Sequence, residues 1–276
     1  MPFVSVADAE IHFEATGQGP PLILISGMGG LGSYWTPQIE QLSKVFRVLT
    51  FDHRGTGRST HSQVEYSVEL LASDTIGLMD ALHIEAAHFL GHSTGGMMLQ
   101  VISSTHPARV LSQVLYGTRG RTDEFTRCAM GMRKEIVLGV GVEAYVKSTP
   151  VFLYPSAWIA ENAAELAKRE ELAVRSSAPP AILASRLDAV LRHDQISSLS
   201  RIQAPTLVTC ARDDFLTPIY YSEELAERIP RAKLSFISSG GHACSVTNPA
   251  EFNSLVLQFL QSVTAGGPGR RLRPDS

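Results

Sequence analysis

Five residues constrain this chain more than any others: Gly91-His92-Ser93-Thr94-Gly95, with Gly96 behind them. The apolar run Ala86-Ala87-His88-Phe89-Leu90 in front reads as a buried strand. Met97-Met98-Leu99-Gln100-Val101-Ile102 behind it reads as the start of a helix. A strand that becomes a helix within so few residues forces Ser93 into a strained backbone and leaves almost no room for flanking side chains. Gly91 and Gly95 meet that demand. The product is a serine hydroxyl exposed at a helix N-terminus. An ordinary glycine-rich turn can share the pattern, so partners elsewhere in the chain must decide.

Two further predicted strand ends carry chemistry. Residues 206–211 form a short β-branched run that reads as a core strand, and Asp213 and Asp214 follow it. That position is the carboxyl edge of a sheet, where α/β sites lie. On the residues alone either aspartate can serve, and a solvated turn is the bland alternative for both. Residues 233–238 read as another strand, running through Gly240-Gly241 to His242. The glycine pair lets that loop bring an imidazole over the serine. The chain has 9 histidines. His92 is expected to turn away from the serine hydroxyl, and His53 reads as structural. His12, His61, His83, His106 and His193 lack a strand-end setting and read as surface or satisfied core residues. Cys244, two residues past His242, reads as a small buried hydrophobe.

A glycine-rich loop, Ser26-Gly27-Met28-Gly29-Gly30-Leu31-Gly32, follows the predicted strand at residues 22–26. It has no Gly-Lys-Ser/Thr ending, as a P-loop would, and its spacing does not fit the dinucleotide fingerprint. No His-Glu-x-x-His, Cys-x-x-Cys or carboxylate cluster with ligand spacing occurs, so neither cofactor nor metal is expected.

Strand patterns at 3–7, 11–15, 22–26, 48–52, 87–91, 114–117, 206–211 and 234–238 alternate with helical spacing at 35–43, 68–82, 222–228 and 250–263. The first two strands form a hairpin, and the rest imply a mostly parallel sheet with helices on both faces. Residues 121–198 break the alternation, with helices expected at 124–138, 141–148, 157–175 and 180–191. The domain reading is a core of residues 1–120 and 199–264, an inserted helical segment at 121–198, and a disordered tail at 265–276. The 276 residues suit one such domain, and 44% apolar residues suffice for a large core. A net charge of −3 gives no nucleic-acid footprint. Three cysteines, an odd number, argue against a disulfide framework and for a reducing compartment. The N-terminus has no basic segment leading into an apolar one, and no apolar run reaches a membrane span. The expectation is a cytoplasmic protein whose partner is a small-molecule substrate, with no nucleic acid, no membrane and at most a second copy in a homodimer.

The elbow, the acid and the histidine, in that order, resemble the α/β-hydrolase superfamily across residues 1 to about 263. The resemblance implies an eight-stranded, mostly parallel sheet with a helical cap, and a Ser93–Asp214–His242 triad. Asp214 is selected because the superfamily commonly places its acid four residues before a proline, as in Asp214-Phe215-Leu216-Thr217-Pro218. The oxyanion hole then comes from the backbone N–H groups of Met28 and Thr94. Residues 121–198 become a cap over the site. Tyr34 and, from the cap, Tyr154 and Trp158 are pocket-lining candidates, and Arg119, with Arg121 as its alternative, is a candidate for a substrate carboxylate. A narrower set is similar to the aminoacrylate/carbamate hydrolases of the Rut pyrimidine-utilisation pathway. It comprises Leu24 to Trp35 with Pro37-Gln38, Asp52-His53-Arg54-Gly55-Thr56-Gly57, Phe152-Leu153-Tyr154-Pro155 with Trp158, Ala211-Arg212-Asp213-Asp214, and Gly240-Gly241-His242-Ala243-Cys244 with Val246-Thr247.

That resemblance implies hydrolysis of a small amide, carbamate or ester through an acyl-enzyme. A carboxylesterase or enol-lactonase-like lactonase, a C–C bond hydrolase or perhydrolase, and a ligand receptor on a hydrolase scaffold are the alternatives. An epoxide hydrolase or dehalogenase would need an aspartate at position 93.

Overall fold

The computed structural model describes residues 3–265, so the expected tail lies almost wholly outside the described residues. Eight strands form one sheet: β1 (Phe3–Val6), β2 (Ala9–Thr16), β3 (Pro21–Ile25), β4 (Arg47–Phe51), β5 (Ala87–His92), β6 (Val110–Tyr116), β7 (Thr206–Ala211) and β8 (Ala232–Ile237). Their spatial order is β1-β2-β4-β3-β5-β6-β7-β8. The pairs β1–β2 and β2–β4 are antiparallel and all the others parallel.

The helices are α1 (Thr36–Leu42), α2 (Val68–Ala81), α3 (Thr94–Thr105), α4 (Glu124–Gly139), α5 (Val142–Leu153), α6 (Ser156–Glu161), α7 (Ala163–Ser176), α8 (Pro180–Arg192), α9 (Ile219–Arg228), α10 (Cys244–Thr247) and α11 (Pro249–Ala265). Successive strand side chains point to opposite faces, and two separate apolar clusters follow. Leu22 and Leu24 of β3, Leu90 of β5 and Val114 of β6 pack with Leu42 of α1 and Phe252, Val256 and Leu260 of α11. Ile23, Ile25, Phe89 and Leu115 face the other way, onto Leu71 and Leu78 of α2 and Met97, Val101 and Ile102 of α3. Because the core strands run parallel, β5, β7 and β8 all end at one edge.

Several elements differ from the sequence expectation, among them α9, which begins at Ile219 rather than residue 222, and the unexpected α10. β6 begins at Val110 rather than residue 114, because its polar residues are satisfied sideways within the core. Ser112 Oγ lies 2.8 Å from His88 Nδ1, and the Gln113 side chain bonds both Ser103 and Thr206. The single helix expected at 157–175 is two, α6 and α7, which divide at Asn162. α5 runs on through Pro150 to Leu153 rather than ending at residue 148.

Residues 121–198 leave and rejoin the sheet at one place. Arg121 and Asp194 form an antiparallel bridge, and Gln195 N donates to Gly120 O at 2.8 Å. No helix among the described residues is long and apolar enough to cross a membrane.

Candidate active site

The edge where β5 ends holds Ser93, at φ 54° and ψ −114°. A positive φ at a non-glycine residue is uncommon and costs energy that the surroundings must offset. They do so from several sides. Ser93 N donates to Tyr116 O at 2.9 Å, and Thr118 Oγ1 donates to Ser93 O at 2.7 Å. The turn is also closed sterically, since a Cβ at Gly91 would stand 2.6 Å from Gly95 O. Ser93 remains partly accessible while its neighbours His92 and Thr94 are buried.

His242 arrives from the loop after β8 and is 1% exposed. Its Nδ1 lies 3.0 Å from Asp214 Oδ2 and 3.2 Å from Oδ1. Asp214 is buried and accepts from Leu216 N, Thr217 N and Thr217 Oγ1 at 2.9, 2.8 and 2.7 Å. Three donors besides the imidazole hold its carboxylate in one orientation. Asp213 goes elsewhere. Its Oδ1 accepts from Gly240 N and Gly241 N at 2.8 and 2.9 Å, so it clasps the loop that carries His242. Those two glycines have φ 130° and 69°, a path ordinary side chains resist. Ser93 Oγ makes no hydrogen bond to His242, whose Nδ1 faces Asp214.

His92 has a role the sequence did not reveal. Its ring is stacked between Tyr34 and Tyr116, with centroids 4.8 and 4.5 Å away, and lies 4.7 Å from the His242 ring. Nε2 is 3.0 Å from the His242 carbonyl, which can only accept, so Nε2 carries the proton. Burial, reinforced by the nearby His242, pushes the His92 pKa well below the usual histidine value and keeps the ring neutral. Tyr116 Oη donates to the same carbonyl at 2.8 Å.

The glycine-rich loop passes against Ser93. A Cβ at Gly27 would be 3.1 Å from Ser93 Cβ. Gly30 N donates to Gly27 O at 3.0 Å, which closes a turn around Met28. Thr94 begins α3, where an amide has no intrahelical partner and the helix dipole favours negative charge.

The other expected site residues are placed as follows. Tyr34 is half-buried, with Oη 2.7 Å from Ser245 Oγ. Tyr154 and Trp158 are half-buried and tilted against each other at 4.5 Å. They follow Leu153, whose carbonyl accepts from Ala243 N of the His242 loop at 3.0 Å. Arg119 is not brought to this group. It is 3% exposed, and its Nη2 donates to Val190 O at 3.1 Å. Burial lowers its pKa to about 10. Arg121 is exposed and paired with Glu224 at 3.1 Å.

One arginine at the site was missed. Arg186 of α8 is 1% exposed and sits above the glycine-rich loop. Its Nη1 donates to Arg54 O at 2.7 Å and its Nη2 to Met28 O at 3.1 Å. A signal was present: Ile182, Leu183, Leu187 and Val190 define the apolar stripe of α8, and Arg186 falls on it.

Known proteins share this architecture. The alpha/beta hydrolase fold family matches residues 20–141. A protein of Azorhizobium caulinodans named "Putative carbamate hydrolase RutD" is 39% identical over 95% of this chain and 99% of its own length. A protein of the same name from Caulobacter sp. (strain K31) is 36% identical over 93% of this chain and 96% of its own. Among solved structures, the enol-lactonase from Burkholderia xenovorans LB400 has a TM-score of 0.88 at 26% identity, covering 94% of this chain and 100% of that one. A thermophilic esterase from Thermogutta terrifontis, with malate bound, has a TM-score of 0.84 at 25% identity, covering 95% and 98%. With the eight-stranded sheet, the strained serine turn and this identity over nearly the whole chain, the protein belongs to the α/β-hydrolase family of hydrolases, in the group of the RutD proteins.

Proposed function

We propose that this hydrolase cleaves a small amide or carbamate through an acyl-enzyme formed on Ser93. The observation that carries the reading is the His242–Asp214 pair at 3.0 Å beside a serine held at φ 54°. Ser93 Oγ attacks the carbonyl carbon as its proton passes to His242 Nε2, and Asp214 stabilises the imidazolium that forms. The carbonyl oxygen becomes an oxyanion, which the N–H groups of Met28 and Thr94 receive. Collapse breaks the C–N bond, and the leaving amine takes the proton from His242. Water then gives its proton to His242, attacks the acyl carbon and releases the acid with Ser93 restored. Residues 121–198 act as a cap that excludes water, with Tyr34, Tyr154 and Trp158 at its contact with the core.

The choice of C–N bonds rests on the RutD relatives. A second reading, ester or lactone cleavage by the same machinery, draws on the likeness to the enol-lactonase and the esterase. The test is a panel of small carbamates, enamine acids, lactones and p-nitrophenyl acetate, assayed with wild type and Ser93→Ala. We expect amine or ammonia release by wild type to exceed lactone opening, with Ser93→Ala inactive toward every compound. Preferred lactone opening selects the second reading. Full activity in a folded Ser93→Ala protein ends both.

A further inference from the structure

The cap's buried arginine has no role in the chemistry set out above. Arg186 is 1% exposed, yet no carboxylate pairs with it among the described residues. Its partners are two backbone carbonyls, Arg54 O at 2.7 Å and Met28 O at 3.1 Å, with His53 Nδ1 at 3.4 Å. Nε has no partner among the described residues, and the guanidinium lies 5.7 Å from the Tyr66 ring centroid. Burying a guanidinium without a carboxylate is costly. A neutral glutamine or methionine would fill much of the same volume at lower cost.

One of those contacts reaches the glycine-rich loop at Met28. The Met28 N–H lies in the peptide plane before its Cα, and the plane after that Cα carries the chain on to Gly30, whose N–H sets the first plane. That first plane is held by Gly30 N donating to Gly27 O at 3.0 Å, because N–H and C=O point oppositely across a trans peptide. The plane after it is held by Arg186 donating to Met28 O. Without that second hold, the Met28–Gly29 peptide is free to turn. A Cβ at Gly29 would meet nothing within 4 Å, and Gly30 already has φ 69°. The glycines that let this loop pass so close to Ser93 also leave it soft; Thr56 Oγ1 and His53 N hold it at Gly30 O, at 3.0 and 2.7 Å, and Arg186 holds it at Met28 O. The same guanidinium ties the loop to the Arg54 carbonyl, on the segment after β4.

We infer that Arg186 is a positioning residue for the oxyanion hole: from α8 of the cap it holds the Met28–Gly29 peptide, the link between the Met28 donor and the Gly30 amide that orients it. The inference rests on the acyl-enzyme reading above. It makes the oxyanion hole depend on the cap being seated, so cap placement and transition-state stabilisation are linked through one side chain.

The test compares wild type with Arg186→Gln and Arg186→Lys, using p-nitrophenyl acetate turnover and inhibition by phenylboronic acid. The boronic acid forms a tetrahedral anionic adduct on an active serine. Losing one oxyanion donor typically lowers kcat about 10²- to 10³-fold. Arg186→Gln, which loosens a donor without deleting it, is expected to lower kcat about 10- to 100-fold, with KM within about twofold. Boronic acid affinity should fall by a similar factor. Arg186→Lys keeps the charge but cannot reach both carbonyls in one fork, so it should recover part of the loss. Unchanged kcat and boronic acid affinity in a folded Arg186→Gln protein would overturn the inference. So would a raised KM with kcat intact, which would make Arg186 a substrate contact instead. Should Arg186→Gln fail to fold, Arg186→Lys carries the same comparison. Wild type that neither turns over the ester nor binds the boronic acid removes the acyl-enzyme reading and this one together. An active wild type with unaffected variants removes this one alone.

Discussion

Asp213 and Asp214 are adjacent in sequence and divide their labour completely. Asp214 faces His242, while Asp213 holds the amides of Gly240 and Gly241 in the loop before it. The residues alone could not separate them, because a side chain's direction after a strand depends on the turn that follows. The proline four residues on was the useful signal. Asp214→Asn is expected to leave the fold intact and lower kcat by roughly 10⁴-fold, as loss of the orienting carboxylate does in serine hydrolases. Asp213→Asn keeps one side-chain acceptor for the loop and should cost about tenfold or less. Steady-state kinetics on the two folded variants would contradict this division if both lost activity equally. His92 was legible only as a neighbour of the serine. Its stacking on Tyr34 and Tyr116 depends on residues far apart in sequence, which no local pattern encodes.

Between elements, the segment after β4 is anchored by a buried ion pair. Arg54 Nε and Nη2 grip both oxygens of Asp74 in α2, at 2.8 and 2.7 Å, and Arg54 is 1% exposed. Removing one partner of such a pair strands a buried charge and typically costs about 3–5 kcal/mol. Asp74→Ala leaves Arg54 with the exposed Asp8, 2.6 Å from Nη1, as its remaining carboxylate, so it should lower unfolding stability by up to about 3 kcal/mol, read from the midpoint of a urea melt at constant m-value. A shift below about 0.5 kcal/mol would mean that the pair is solvated. The parallel strands and flanking helices were readable from apolar periodicity. The first half of β6 was not, because Ser112 and Gln113 look like loop residues until their core partners are known. The break at Asn162 and the passage through Pro150 were likewise not legible in the local pattern.

For the whole molecule, burial has left several histidines poorly placed to accept a proton. Burial pushes His92 and, with help from the Arg186 charge, His53 well below the usual value of 6.5, and it lowers His193 to about 3. Each of them gains a proton on unfolding at pH values between those pKa values and 6.5. The unfolded state then binds more protons, so stability is complete above pH 6.5 and falls as pH drops below it. The slope should reach up to about 1.4 kcal/mol per pH unit for each such histidine. Urea melts between pH 7.5 and 5 read this before most carboxylates titrate, and a flat profile would show that these rings protonate without opening the fold. Ser93, Asp214 and His242 lie after β5, β7 and β8, and parallel strands carry them to one edge. That is why three separated sequence signals already outlined the site, whereas the contribution of α8 needed the tertiary fold.

The most direct measurement is intact-mass analysis after reaction with a fluorophosphonate, on wild type and Ser93→Ala. The account predicts one adduct per wild-type chain and none on a folded Ser93→Ala chain. A wild-type chain that stays unmodified while folded, or a Ser93→Ala chain modified to the same extent, would contradict it.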